Sequence, residues 1–146
     1  HDLDVRPILP RFVVPPLNRA VLEPQKAWLQ WAVNSLEESH SAGALEGFGR
    51  PKPGLIGTGD QFIGDAAVIK ALRDALPDLQ AVEMEGAAVA QVAEQEGVPW
   101  LVLRVISDGA DSEAAQSFHD FVQAYDARAW TLIETLLRRQ ASAPRG

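Results

Sequence analysis

The sequence predicts an α/β fold with a mostly parallel sheet, and three observations carry that prediction. Short apolar runs beginning at Leu55, Ala81 and Pro99 alternate with stretches of helical periodicity. Glycine and proline punctuate the joins, at Gly54, Pro77, Gly97 and Pro99. The connections are short, as in strand–helix–strand units, where each parallel pair needs a crossover.

From His1 to Ile8 the chain alternates Leu3, Val5 and Ile8 with charges, which suits a strand or an extended segment. Pro7, Pro10, Pro15 and Pro16 exclude a regular helix and favour an extended arm. Glu23-Pro24 opens a helix, proline being suited to a first turn. Trp28, Trp31, Ala32, Ser35 and Leu36 share one helix face, so both tryptophans are expected in the core. The stretch from His40 to Gly54 is rich in glycine and proline and is expected to be a loop.

Leu55 starts a short strand that leads into the glycine-punctuated turn Thr58-Gly-Asp-Gln-Phe62-Ile63-Gly64. Asp65 then caps a helix with apolar positions Val68, Ile69, Leu72 and Leu76, stopped by Pro77. The run 81–84 is the next strand, and 86–96 an alanine-rich helix that can pack closely on a sheet, ended by Gly97. The run 99–106 is apolar except for Arg104, as expected of a central strand buried on both faces. A long final helix is expected over 117–139, and 140–146 is expected to be a flexible tail. Residues 1–139 therefore belong to one domain.

Composition narrows the function classes. In 146 residues, 47% are hydrophobic and 23% charged, the proportions of an ordinary globular chain. A net charge of −7 argues against a nucleic-acid surface, which needs a clustered basic face. No apolar run approaches the ~20 residues of a membrane span. Without cysteine, disulfide and thiolate chemistry are excluded, which fits a cytoplasmic location.

The chemistry-bearing residues cluster between Val82 and Asp111. Asp108 directly follows an apolar run, where partial burial favours the neutral acid. It can equally cap a turn together with Ser107, and the pattern leaves both readings open. Glu85 stands between a strand and a helix start, a position the helix dipole favours for a carboxylate. The role of Glu83, two residues earlier, is open. Arg104 inside an apolar run needs a partner: a ligand anion, or one of the local carboxylates, whose orientation it would fix.

Other chemistries find no pattern. Asp108, Asp111 and Glu113 lack the alternating ligands of a calcium loop, and His1, His40 and His119 lack zinc-ligand spacing. There is no Gly-x-Ser-x-Gly elbow and no Gly-rich phosphate fingerprint. No cofactor and no metal are expected.

Three motifs, Thr58-Gly-Asp-Gln-Phe62-Ile63, Val82-Glu-Met84-Glu85-Gly-Ala-Ala and Arg104-Val-Ile-Ser107-Asp108-Gly-Ala-Asp111, resemble in order and spacing those of bacterial 5′-methylthioadenosine/S-adenosylhomocysteine nucleosidases. The opening His1-Asp2-Leu3-Asp4-Val5 is similar to a further segment of that family. The resemblance implies a three-layer α/β/α nucleoside phosphorylase-like fold with a central mixed, mostly parallel sheet, of which this chain is the later part. It implies hydrolysis of an N-glycosidic bond, releasing adenine and a thioribose.

Carried over residue by residue, the resemblance makes Asp108 the acid at purine N7, positioned by Ser107 and Arg104. Backbone at Ile63 would meet the adenine edge, and Phe62 and Phe118 would pack on the base and the thio-substituent. Met84 and Glu85 would hold the ribose, with Glu83 beside them. In such a homodimer, Val5, Ile8 and Pro16 would complete the 5′-pocket of a neighbouring subunit. The family's water-activating glutamate and its loop beneath the ribose have no match here, so activity is expected only with an N-terminal companion segment. Two other readings remain: a related purine nucleosidase or phosphorylase, and a non-catalytic nucleoside-binding or assembly module.

Overall fold

The computed structural model describes residues 11–14, 17–109, 119–122, 125 and 129–145. The expectations for the opening strand and for much of the final helix fall largely outside them.

Helix α1 (Lys26–Ser41) turns Ala32, Ser35, Leu36 and Ser39 inward, a stripe at helical spacing. Strand β1 (Leu55–Thr58) is followed by α2 (Ala66–Ala75), β2 (Leu79–Glu83) and α3 (Gly86–Glu96). Helix α4 (Ala129–Arg138) precedes a 3-10 turn at Gln140–Ser142. Strands β1 and β2 pair in parallel, so β1–α2–β2 is a βαβ unit and the α/β class is the one found. The two local caps behave as their residues dictate. Asp65 Oδ1 accepts the backbone N–H of Ala67 at 2.7 Å, and Gly97 adopts the left-handed conformation, φ 67°, that ends α3.

The register places Ile56 beside Ala81, Gly57 beside Val82 and Thr58 beside Glu83. Partners on adjacent strands share a face of the sheet. The ends of both strands therefore deliver Thr58 and Glu83 to one spot, with α3 starting three residues beyond.

The core lies elsewhere. Leu36 of α1 and Leu132 of α4 pack with Leu45, and Phe48, Val105 and Leu136 lean on them. Leu45 sits within the segment expected to be a loop, and the backbone there does turn over residues 42–47. Trp28 and Trp31, expected in the core, are half-buried and meet edge to face at 5.5 Å. They line a cavity of about 570 Å³ with Leu136, Leu137 and residues that follow α4. The terminal segment expected to fray is tied there, because Trp31 Nε1 donates to Ser142 Oγ at 3.2 Å.

The expected strand over 99–106 is not formed: that segment carries no strand pairing among the described residues. A strand exists only through hydrogen bonds to a neighbour, and none of the described residues supplies a third strand. Its apolar side chains are consequently not buried on two faces. Val105 reaches the core cluster, whereas Leu103 and Ile106 are exposed.

Candidate active site

Three sequence-distant segments meet beyond the end of β2. Thr58 Oγ1 donates to the carboxylate of Glu83 and accepts the backbone N–H of Ala87 at 2.9 Å. Glu83 also accepts the backbone N–H of Gly86 at 2.7 and 2.9 Å, one bond to each oxygen, and that of Glu85 at 3.1 Å. The first turn of α3, whose N–H groups have no partner within the helix, is thus satisfied by a carboxylate and a hydroxyl. A phosphate would find this helix terminus already occupied by an anion.

Arg104 closes the arrangement from the third segment. Its Nη2 donates to Glu83 and, at 2.9 Å, to Oε2 of Glu85. Side-chain exposure separates the two acids: 8% for Glu83 and 68% for Glu85, with Arg104 at 35%. Burial alone pushes the Glu83 carboxyl up, and the bonds from Thr58, the two backbone N–H groups and Arg104 outweigh it, holding the group below the usual carboxylate value. Burial likewise lowers Arg104, and hydrogen bonds and charge from Glu83 and Glu85 raise it further, so the guanidinium stays charged.

Three residues beyond Arg104, Ser107 Oγ donates to Asp108 Oδ2 at 2.6 Å, and both residues are half-buried. Ser107 thus contacts Asp108 as the motif resemblance implies. Arg104 does not follow that expectation in its ion pairs, which run to Glu83 and Glu85. The plainer reading of Arg104, a charge that pairs with a local carboxylate, is the one realised. Met84 is exposed between the two glutamates, Phe62 is exposed, and Ile63 is half-buried in the turn after β1. Phe118, Val5, Ile8 and Pro16 lie outside the described residues.

Thr58 is the participant to which sequence reasoning assigned no role. The available signal was its place at the end of one strand, opposite an acid at the end of the next. Among the described residues no group of three or more His, Asp or Glu side chains is arranged to hold a metal ion. No helix of the described residues is long and apolar enough to cross a membrane. The carboxylates do not line the tryptophan cavity; Glu85 is exposed, whereas Glu83 is buried.

Two parallel strands whose ends bring Thr58 and Glu83 to a helix start define an α/β protein, a class in which small ligands bind outside the strand ends. Comparison with known proteins gives the family. The model of the phosphorylase superfamily matches residues 1–138, and the chain belongs to that superfamily.

Its curated relatives include a 5′-methylthioadenosine/S-adenosylhomocysteine nucleosidase of a Marinomonas species, 44% identical over 87 residues, or 60% of this chain and 38% of the relative. The namesake from Shewanella frigidimarina is 31% identical over 139 residues, covering 95% of this chain and 57% of the relative. Among solved structures, the Neisseria meningitidis nucleosidase in complex with methylthio-immucillin-A superposes with a TM-score of 0.75 at 28% identity, over 94% of this chain and 56% of that one. Futalosine hydrolase of Helicobacter pylori superposes with a TM-score of 0.74 at 30% identity, over 95% and 56%. The chain thus spans between about two fifths and just over half the length of these relatives.

Proposed function

We propose that this chain carries the later part of a nucleosidase domain and supplies the base-side and ribose-side residues for hydrolysis of 5′-methylthioadenosine and S-adenosylhomocysteine. The observation that carries the reading is the junction at Arg104. One guanidinium joins the segment bearing Ser107 and Asp108 to the segment bearing Met84 and Glu85. The relatives named for this activity supply the substrate class.

Cleavage of the N-glycosidic bond builds positive charge on the ribose and negative charge on the leaving base. Asp108 donates its proton at purine N7, so the base departs as neutral adenine. General acid assistance of this kind is worth ~10²–10⁴ in rate. Glu85 accepts from the ribose hydroxyls and favours the developing positive charge. Water adds its oxygen to the anomeric carbon, and its proton goes to a glutamate supplied by an N-terminal companion segment. Ile63 backbone meets the adenine edge, while Phe62, Phe118 and Met84 pack on the nucleoside. In a homodimer, Val5, Ile8 and Pro16 close the 5′-pocket of the partner. The setting is cytoplasmic, in the recycling of methylthioadenosine.

Support comes from the exposure pattern. Glu85 is open to a ligand, and Leu103 and Ile106 lie bare on the segment that bears Arg104 and leads into Ser107 and Asp108. Covering such apolar surface with a further segment is favourable by about 25 cal/mol per Å².

A second reading follows from the likeness to futalosine hydrolase, which superposes as well as the nucleosidases do. One assay separates the readings. The chain is mixed with a polypeptide carrying the N-terminal part of the Shewanella frigidimarina relative, and base release is measured from methylthioadenosine, S-adenosylhomocysteine and futalosine, with and without phosphate. Phosphate-independent adenine release from the first two is expected. Preference for futalosine would favour the second reading, and full turnover by the chain alone would remove the companion segment from the account.

A further inference from the structure

Glu83 has the geometry of a residue that arranges a site without entering it. Four donors converge on its carboxylate: Thr58 Oγ1, Arg104 Nη2 and the backbone N–H groups of Glu85 and Gly86. With 8% of its side chain exposed, a ligand hydroxyl would have to displace one of them. Close approach to the helix is permitted by Gly86, since a Cβ there would stand 3.0 Å from Glu83 Oε1.

The exposed carboxylate of Glu85 could not hold a long arginine side chain in one place by itself, because exposed ion pairs contribute little. The buried carboxylate can, through a bond to a charged donor in a drier setting. Both ends of Glu85 are then referenced to the same group: its backbone N–H is bonded to Glu83, and its Oε2 receives Arg104, which Glu83 also holds.

We propose that Glu83 is the positioning residue of this site, fixing the guanidinium of Arg104 and the first turn of α3 and, through them, the exposed carboxylate of Glu85. What Glu85 is aligned to, the ribose hydroxyls, rests on the nucleosidase reading; the alignment itself does not. Glu83 is accordingly taken out of the set that touches substrate. Its lowered pKa fits this role, since the group stays an anion wherever the site would operate.

Nitrogen-15 spectra of the arginine side chains read the claim without any ligand. In the unaltered chain, Arg104 is expected to show separate Nη signals from restricted rotation. Glu83→Gln should merge them, and Glu85→Gln should leave them separate. Glu85 is exposed, so the second variant stays informative even where the first fails to fold. Merging in Glu85→Gln, or separate signals in Glu83→Gln, would overturn the positioning role.

Binding gives the second readout. Glu83→Gln should weaken methylthioadenosine by roughly tenfold or more, the loss typical of a bond to a charged group, and leave free adenine within about twofold. Equal weakening of both would mark a merely structural residue and overturn the proposal. An unaltered chain that binds neither compound with the N-terminal companion supplied, while Arg104 behaves as expected, would sink the nucleosidase reading and leave the role of Glu83 standing.

Discussion

Thr58 Oγ1 accepts the backbone N–H of Ala87 at 2.9 Å, joining the end of β1 to the first turn of α3 across 29 residues of chain. The same hydroxyl donates to Glu83, so its donor and acceptor capacities are both engaged. Replacing it by an isosteric apolar group leaves the Ala87 N–H without this partner and Glu83 Oε1 with one donor fewer, that oxygen keeping the Gly86 N–H. Thr58→Val is therefore expected to destabilise the chain by about 1–3 kcal/mol, and Thr58→Ser by less. Urea unfolding midpoints of the two variants check this.

Acid should loosen the same junction. The folded-state pKa of Glu83 lies below the ordinary 4.5, so its contribution to stability is fully present above that value. It is lost as pH falls through the folded-state pKa. In Glu83→Gln, which cannot ionise, the stability-against-pH curve should be flatter below about pH 4.5, as read from thermal midpoints. An unchanged acid limb would contradict the lowered pKa.

Leu45 is 3% exposed although it lies in a turn-rich connection. It fills the space between Leu36 and Leu132, the contact that joins α1 to α4. Leu45→Ala is expected to cost about 2–5 kcal/mol, as buried leucine truncations do. Leu29→Ala, at the exposed side of α1, should cost far less.

Gly57 lets β1 lie against β2. A Cβ at this position would stand 3.0 Å from Leu79 Cδ1, and Leu79 is buried. Gly57→Ala should destabilise by about 1–3 kcal/mol through overpacking, and Leu79→Ala in the same chain should recover part of that loss.

The local elements were legible because local chemistry decides them. Asp65 at a helix start, Gly97 at a helix end and the apolar runs starting at Leu55 and Ala81 needed no distant partner to be recognised, although the second strand is found at 79–83 and not at 81–84. The segment over 99–106 shows the opposite case. Its composition suits a buried strand, but pairing depends on a neighbour that lies elsewhere, and Leu103 and Ile106 stay exposed. The acids of the site were visible as residues at strand ends. Their division of labour was not, since it follows from the Thr58–Glu83 register and from the direction in which Arg104 turns.

The central claim concerns Asp108 as the acid that releases the purine. Adenine release from methylthioadenosine, measured on this chain with the N-terminal companion supplied, tests it most directly when Asp108→Asn is compared with the unaltered sequence. The account predicts a loss of about 10²–10⁴ in rate with binding of adenine retained. Release at an unchanged rate by Asp108→Asn would contradict it.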